Sequence, residues 1–475
     1  MRTVNVLIIG AGPCGLGAAT RLHQHGQESW LVVDQADKPG GLSCTEETPE
    51  GFLVDKGGHV VFSSFQYFDE LLQAALGDYQ DESAWATHVR KTHVIMKDSG
   101  KYIKVPYPFQ HNIGALSCEL KHECVEGIVH RDRSRPPHSF KDWVLYNFGQ
   151  GIARVFMFPY NCKVWAHDLA TMSKEWVSAR VAHVDSFAVV QNAMNYTECG
   201  VWGPNRHFRF PQRGGTGVIY ETIARLLPQD KLLLSKKVVG INPETKICTM
   251  NDGQSIKYTH LVSTMPLDLL MKQVDMKPDY TLLRHSSTHV LLFGFEGQNP
   301  NKQSSWMYFP DEEVPFYRAT IFSNYGRYNV PDSAHQYSLM LEVAESQYRK
   351  APADLRTTCL AACRATNLTT ASCRLVSEYH ERLEYGYPTP TIGLEEYRDK
   401  VDEELEKSQI YSRGRFGTYL YQISNQDHSV MQGVQVVDRI LFGATETVLR
   451  CSEYVNSTYN TQYHYERKPS SSSLV

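Results

Sequence analysis

No stretch of the 475-residue chain approaches the ~18 consecutive apolar residues that a membrane-spanning helix needs. The apolar run Val6–Ile9 is too short for the core of a secretory signal and leads straight into a glycine turn, so no leader is expected. Net charge is only −4, and no basic run carries interleaved aromatics, which argues against a nucleic-acid binder. The 11 cysteines are odd in number, scattered from Cys14 to Cys451, and contain no CxxC pair. That spacing suits neither a disulfide framework nor a zinc site, and it places the protein in a reducing, cytoplasmic compartment with no metal. Internal repeats are lacking too.

What the chain does have begins at Val4. Val4–Ile9 is β-branched and apolar without alternation, the pattern of a strand buried on both faces. It runs into Gly10-Ala-Gly12-Pro-Cys-Gly15. Gly10 permits a tight turn, Gly12 lets the backbone approach a pyrophosphate, and Gly15 lets a helix pack closely on the strand. The helix N-terminus then offers amides and a positive dipole end to phosphate. A second buried strand, Trp30–Val33, ends at Asp34, 19 residues after Gly15, where an acid accepts ribose hydroxyl hydrogen bonds. The same acid disfavours a 2′-phosphate on this nucleotide.

Two further glycine turns follow within the first 60 residues, Gly40-Gly41-Leu42-Ser43 and Gly57-Gly58-His59. A nicotinamide has no need of three such turns; the isoalloxazine ring of a flavin extends beyond the pyrophosphate and needs backbone packed against it. The turns resemble those of the amine-oxidase-like flavoproteins, which implies FAD. Two later segments are expected to return to the cofactor. One is Phe210–Gly217 with its following helix and a strand through Val238; the other is Arg413-Gly-Arg415-Phe-Gly417, a strand Tyr419–Ile423, and a helix starting at Asn425-Gln426-Asp-His-Ser429.

The expected fold is α/β. A discontinuous Rossmann-type FAD domain takes residues 1–98, 204–279 and 406–462. A helical substrate-binding insertion takes 109–203, with helices near Ser139–Phe148 and Ser173–Val181. An antiparallel sheet domain over the flavin takes 99–108 and 280–405, and the polar stretch 463–475 reads as a disordered tail.

Several segments together resemble one family, the eukaryotic type of UDP-galactopyranose mutase, over nearly the whole chain. They are Gly57–Phe62, Val105–Gln110, Pro159–Trp165, Gly203–Asn205 with Phe208–Gly217, Phe316–Tyr325, Tyr385–Pro390 and Arg413–Ser429. The resemblance implies reversible isomerisation of UDP-galactopyranose to UDP-galactofuranose. N5 of reduced FAD would act as covalent nucleophile at the galactose anomeric carbon, with no net redox change. It implies Arg180 and Arg318 as the cations that stabilise the departing diphosphate, with Tyr308, Tyr325, Tyr387 and Tyr421 donating hydroxyls to the same phosphates. Tyr107, Gln110, Asn161 and Trp165 would hold uracil and ribose, Asn205 would lie in a flap, and His59 beside the flavin ring. The expected cofactor contacts are Gly10, Gly12, Gly15, Asp34, Gly41, Leu42, Ser43, Gly57, Gly58, His59, Val238, Arg415, Asn425, Gln426 and Ser429. NADPH or NADH is the expected external reductant. No second GxGxxG exists, so a nicotinamide would borrow the sugar-nucleotide cleft. The family includes monomers and assemblies, which leaves oligomeric state open. An FAD amine oxidase or desaturase shares the fingerprint and is the competing reading; a non-catalytic flavin sensor is a third.

Overall fold

The computed structural model describes residues 1–177, 181–182, 185–199, 203 and 205–466. Its first layer is a seven-stranded sheet in the order Val238–Asn242, Ile247–Met250, Ser255–Ser263, Arg2–Ile9, Trp30–Val33 and Leu232–Leu233, with Ile410–Ser412 pairing with the far end of Ser255–Ser263. Arg2–Ile9 lies parallel to both of its neighbours, with Leu7 opposite Leu261 and Leu31. Its side chains alternate between two cores. Val6 and Ile8 pack with the helices Pro13–Gln24 and Gln426–Phe442, and Leu7 and Ile9 with the helices Leu267–Gln273 and Leu394–Lys407. A strand covered on both faces must be apolar at every position, which is why this one reads without alternation.

The second layer is also seven-stranded: Arg374–Pro388, His285–Glu296, Gln336–Glu345, Arg318–Thr320, Trp306–Tyr308, Thr92–Asp98 and Lys101–Pro106. Neighbours run antiparallel except Trp306–Tyr308 and Thr92–Asp98, which are parallel. Two sequence boundaries shift here. Thr92–Asp98, read as nucleotide-domain chain, belongs to this sheet, because Ser99 and Gly100 (φ +49° and +81°) turn it into a two-residue hairpin with Lys101–Pro106. Conversely Leu394–Lys407 packs on the first sheet through Leu394, Val401 and Leu405.

The third layer is helical: Cys118–Val129, Phe140–Ile152, Phe158–Trp165 and Ser186–Met194. Ser139 and Asp142 form a reciprocal capping box at the start of the second of these. Of the helix expected over 173–181, residues 173–177 include a turn and most of the remainder lies outside the described residues. The strand expected over Tyr419–Ile423 is instead a left-handed residue (Tyr419, φ +56°) followed by one 3₁₀ turn, Tyr421–Ile423. The Gly414 carbonyl takes both the amide and the hydroxyl of Thr418, which folds the segment back on itself. From the expected tail, residues 463–466 are described and pack on the helix Gln66–Leu76, where the Tyr465 amide donates to Glu70. No described helix is long and apolar enough to cross a membrane.

Candidate active site

Three glycine turns and two later segments converge at the C-terminal edge of the first sheet. Gly10 takes φ +105°, and a Cβ there would fall 2.0 Å from Thr264 Oγ1. At Gly15 a Cβ would fall 1.8 Å from the Gly10 carbonyl, so the helix can approach the strand only through glycine. Gly12 differs: an added Cβ meets no protein atom closer than 3.8 Å. The chain's own packing does not require glycine there, whereas a phosphate approaching the helix amides does. Asp34 is fixed at the strand end by the Ala11 and Ala36 amides, which donate to its two oxygens at 2.6 and 2.8 Å.

The second turn lies directly on the first. The Gly40 amide donates to the Ala11 carbonyl at 2.9 Å, and a Cβ on Gly41 would stand 3.3 Å from Gly12 Cα. Leu42 is half-buried against the core of the first sheet, and Ser43 is buried. Asp55, which the sequence did not single out, clips the turns together. Fully buried, it accepts from the Thr45 hydroxyl at 2.5 Å and from the hydroxyl and amide of Thr216. Burial pushes its pKa up to about 6 against those bonds. Val238 sits buried in the edge hairpin of the sheet. At the far side, Asn425 occupies the N-cap position of Gln426–Phe442 without a side-chain bond to the helix amides, Tyr220 donates to Gln426 at 2.8 Å, and Ser429 is buried in the first helical turns. This helix crosses Pro13–Gln24 so closely that a Cβ on Gly433 would fall 2.0 Å from the Cys14 carbonyl.

The third turn meets the second sheet. Register places Tyr308, Arg318 and Glu342 side by side on three adjacent strands. Glu342, 2% exposed, takes Arg318 Nε and Nη2 at 2.7 Å each, the Tyr317 hydroxyl at 2.6 Å and the Gly58 amide at 3.0 Å. A Cβ on Gly58 would stand 3.0 Å from the guanidinium carbon, so Arg318 lies flat on the turn. Burial opposes its charge most strongly, but Glu342 together with Tyr387, Tyr317 and Tyr308 outweighs burial and holds it firmly protonated. His59 Nδ1 is buried with no partner among the described residues. Burial first, then Arg415 and Arg318, push this histidine down to about 4, so it is neutral at pH 7.

Around Arg318 stands a wall of aromatic rings. Tyr308 lies 5.2 Å from Tyr107 and 5.1 Å from Tyr160. Trp165 meets Tyr421 at 4.8 Å, Trp176 at 5.0 Å and Tyr387 at 5.9 Å. The Arg415 guanidinium sits 5.0 Å above Tyr387 and donates to the Ser424 and Gly386 carbonyls. Tyr325 is locked among Phe208, Phe210 and Phe322. Burial raises the phenols of Tyr107, Tyr160, Tyr308, Tyr325 and Tyr387, which keeps them as neutral O–H donors. The indole N–H groups of Trp165 and Trp176 are buried without an acceptor among the described residues. Gln110 donates to the Ala182 carbonyl and Asn161 to the Met157 carbonyl. Asn205 accepts from Arg90, whose guanidinium stands 5.3 Å over Tyr107. Arg180 lies outside the described residues.

Residues 13–291 match the family model of flavin containing amine oxidoreductases. The chain is also similar to a crystal structure of reduced UDP-galactopyranose mutase: 41% identity, 98% of this chain and 99% of that chain covered, TM-score 0.90. The chain belongs to the UDP-galactopyranose mutase family. Its fold is shared more widely. A structure described as a putative protoporphyrinogen oxidase from Exiguobacterium is 15% identical with TM-score 0.71, over 92% of this chain and 98% of that one. A putrescine oxidase variant is 16% identical with TM-score 0.63, over 93% and 99%.

As a member of that flavoprotein family the chain takes FAD, and its site fits the group on its own terms: the Gly12 approach, the partnerless His59 Nδ1 and two helix N-termini at one edge. Sequence reading missed Glu342, Asp55, Tyr160 and Arg90. Glu342 had a usable signal, being the one acid in the apolar run Leu339–Ala344, and a buried carboxylate requires a partner.

Proposed function

We propose that this protein interconverts UDP-galactopyranose and UDP-galactofuranose without net redox change. The observation that carries the reading is the row Tyr308–Arg318–Glu342 lying on the Gly57–His59 turn. Reduced FAD, when bound, supplies N5 as nucleophile for the galactose anomeric carbon. The chain's residues do the remainder. Gly10, Gly12, Gly15 and the two helix N-termini take the cofactor's pyrophosphate, Asp34 its ribose, and Gly41–Ser43, Gly57–His59 and Arg415 pack about the ring system. Glu342 engages two of the three Arg318 guanidinium nitrogens, Nε and Nη2, and leaves the third, Nη1, for the substrate diphosphate. Arg318, with Arg180, stabilises negative charge as UDP departs and returns. Tyr308, Tyr325, Tyr387 and Tyr421 add neutral hydroxyls, which neutralise nothing but fix the phosphate oxygens. Trp165 and Tyr107 flank uracil and ribose with Gln110 and Asn161. Asn205, tethered to Arg90 above Tyr107, closes over the nucleotide. His59, neutral, shapes the flavin turn and is no proton carrier at pH 7.

NADPH or NADH reduces the flavin from the sugar-nucleotide cleft. The protein works in the cytoplasm, where its cysteines, all free, stay reduced. An amine oxidase role is disfavoured because an arginine set among several tyrosine hydroxyls offers donors that suit a phosphorylated substrate better than an amine. In the deciding experiment, dithionite-reduced enzyme is incubated with UDP-galactofuranose and the products are separated by chromatography. UDP-galactopyranose should accumulate with reduced enzyme only. Turnover by air-oxidised enzyme, or UDP that leaves flavin fluorescence and melting temperature unchanged, overturns the reading.

A further inference from the structure

Lys163 is 1% exposed and has no carboxylate partner among the described residues. Its ammonium instead donates into a cage of four backbone carbonyls: Phe309 at 2.7 Å, Asp311 at 3.0 Å, Val314 at 2.5 Å and Phe316 at 2.9 Å. All four belong to the loop that joins the strands Trp306–Tyr308 and Arg318–Thr320. One stem of that loop therefore ends at Tyr308 and the other begins at Arg318. Lys163 itself lies on the helix Phe158–Trp165, two residues from both Asn161 and Trp165 and so on the opposite helical face. Tyr160, one turn earlier, touches Tyr308 at 5.1 Å, making a second contact between helix and hairpin.

We propose that Lys163 is a positioning residue: its caged ammonium holds the hairpin bearing Tyr308 and Arg318 in register with the helix bearing Asn161 and Trp165, so that nucleoside and diphosphate are gripped at one fixed spacing. The inference rests on the roles given to those residues above. Four convergent carbonyl dipoles repel one another unless a cation sits among them, and buried carbonyls left without a donor are costly. Burial and then Arg349 push the lysine pKa down to about 7 against the pull of Glu312 and Asp311, and the four carbonyl dipoles at hydrogen-bond distance favour the ammonium. The Asp311 carbonyl also takes the Val314 amide, but an uncharged side chain of the same length would leave the Phe309, Val314 and Phe316 carbonyls unmatched, and the loop would open away from the helix, carrying Arg318 with it.

The test compares Lys163→Met with Arg318→Ala, both as flavin-loaded protein, by UDP titration and by the KM and kcat for UDP-galactopyranose. Lys163→Met should keep its flavin and spectrum, yet raise KM and the UDP dissociation constant on the order of tenfold to a hundredfold. If Arg318→Ala weakens UDP and Lys163→Met does not, Lys163 only stabilises the fold and the inference fails alone. If Arg318→Ala leaves UDP binding unchanged, the site reading fails and this inference with it. Should Lys163→Met not accumulate, Lys163→Ala assayed with propylammonium decides. UDP affinity that recovers with propylammonium but not with propanol supports the positioning role, and affinity indifferent to both overturns it.

Discussion

Arg318 and Glu342 show how a single carboxylate organises a site. Glu342 accepts from Arg318, Tyr317 and the Gly58 amide at once, so its removal strands a half-buried cation and two donors. Glu342→Ala should destabilise the protein by about 3–5 kcal/mol. Adding Arg318→Ala should return part of that loss, and denaturant unfolding of the double-mutant cycle reads the coupling. Arg318→Ala alone should keep yellow flavin while kcat falls on the order of 10²–10³. Asp55 makes a pH prediction. The folded carboxyl holds its proton up to about pH 6, whereas the unfolded chain releases it at 3.8. Between those values the folded state binds the extra proton, so this group's contribution to stability falls as pH rises and is constant above pH 6. His59, depressed to about 4, acts in the opposite sense over nearly the same range. The difference between parent and Asp55→Asn melting temperatures isolates the carboxyl. It should shrink in the parent's disfavour from pH 4 to 6 and then level.

Among the elements, the strand–turn–helix unit offers the sharpest contrast. At Gly15 a Cβ falls on the Gly10 carbonyl; at Gly12 it meets the chain only at ordinary contact distance, 3.8 Å from Gly41 Cα. Gly15→Ala should therefore cost ~1–3 kcal/mol of fold stability by overpacking, and weaken flavin retention only as a consequence. Gly12→Ala should melt as the apoprotein of the parent does, yet purify without flavin. Absorbance at the flavin maximum and apoprotein melting curves separate the two. Normal flavin content in Gly12→Ala would contradict the pyrophosphate assignment. The two helices behind the unit depend on glycine in the same way as Gly15: Gly17 and Gly433 let Pro13–Gln24 and Gln426–Phe442 touch backbone to backbone.

Across the whole molecule, the cofactor region is assembled from chain segments far apart in sequence: residues 10–59, the loop at 214–217 and the segment 414–429. A ligand contacting all of them binds the folded state alone and stabilises it by mass action. Apoprotein melting temperature should thus climb with added FAD, by an amount that grows with concentration. In Asp34→Ala the same FAD concentration should give a smaller rise; an equal rise would remove Asp34 from the ribose. A buried ion cluster closes the far side of this assembly: Arg413 bonds Asp402, Glu406 and Glu446, and Arg439 bonds the last two, joining Leu394–Lys407 to Gln426–Phe442.

Local chemistry was enough to read the first strand as buried on both faces, the glycine turns and the helix at Gln426. Glycine, capping residues and apolar periodicity act over a few residues, and their meaning does not depend on what lies across the fold. Tyr107, Trp165, Arg318 and Tyr387 could be named only through the family resemblance; the fold sets Tyr107 against Tyr308 and Trp165 against Tyr387. The strand expected over Tyr419–Ile423 failed because alternation was read where Gly414 and Thr418 fold the chain on itself. What only the tertiary structure decided are the partners. Glu342 becomes the counter-charge of Arg318 through strand register, Asp55 becomes a clip through two threonines 10 and 161 residues away, and Lys163 finds its carbonyls about 150 residues downstream. Each of these is a buried polar group, and a buried polar group is specified by its partner, which no local pattern carries.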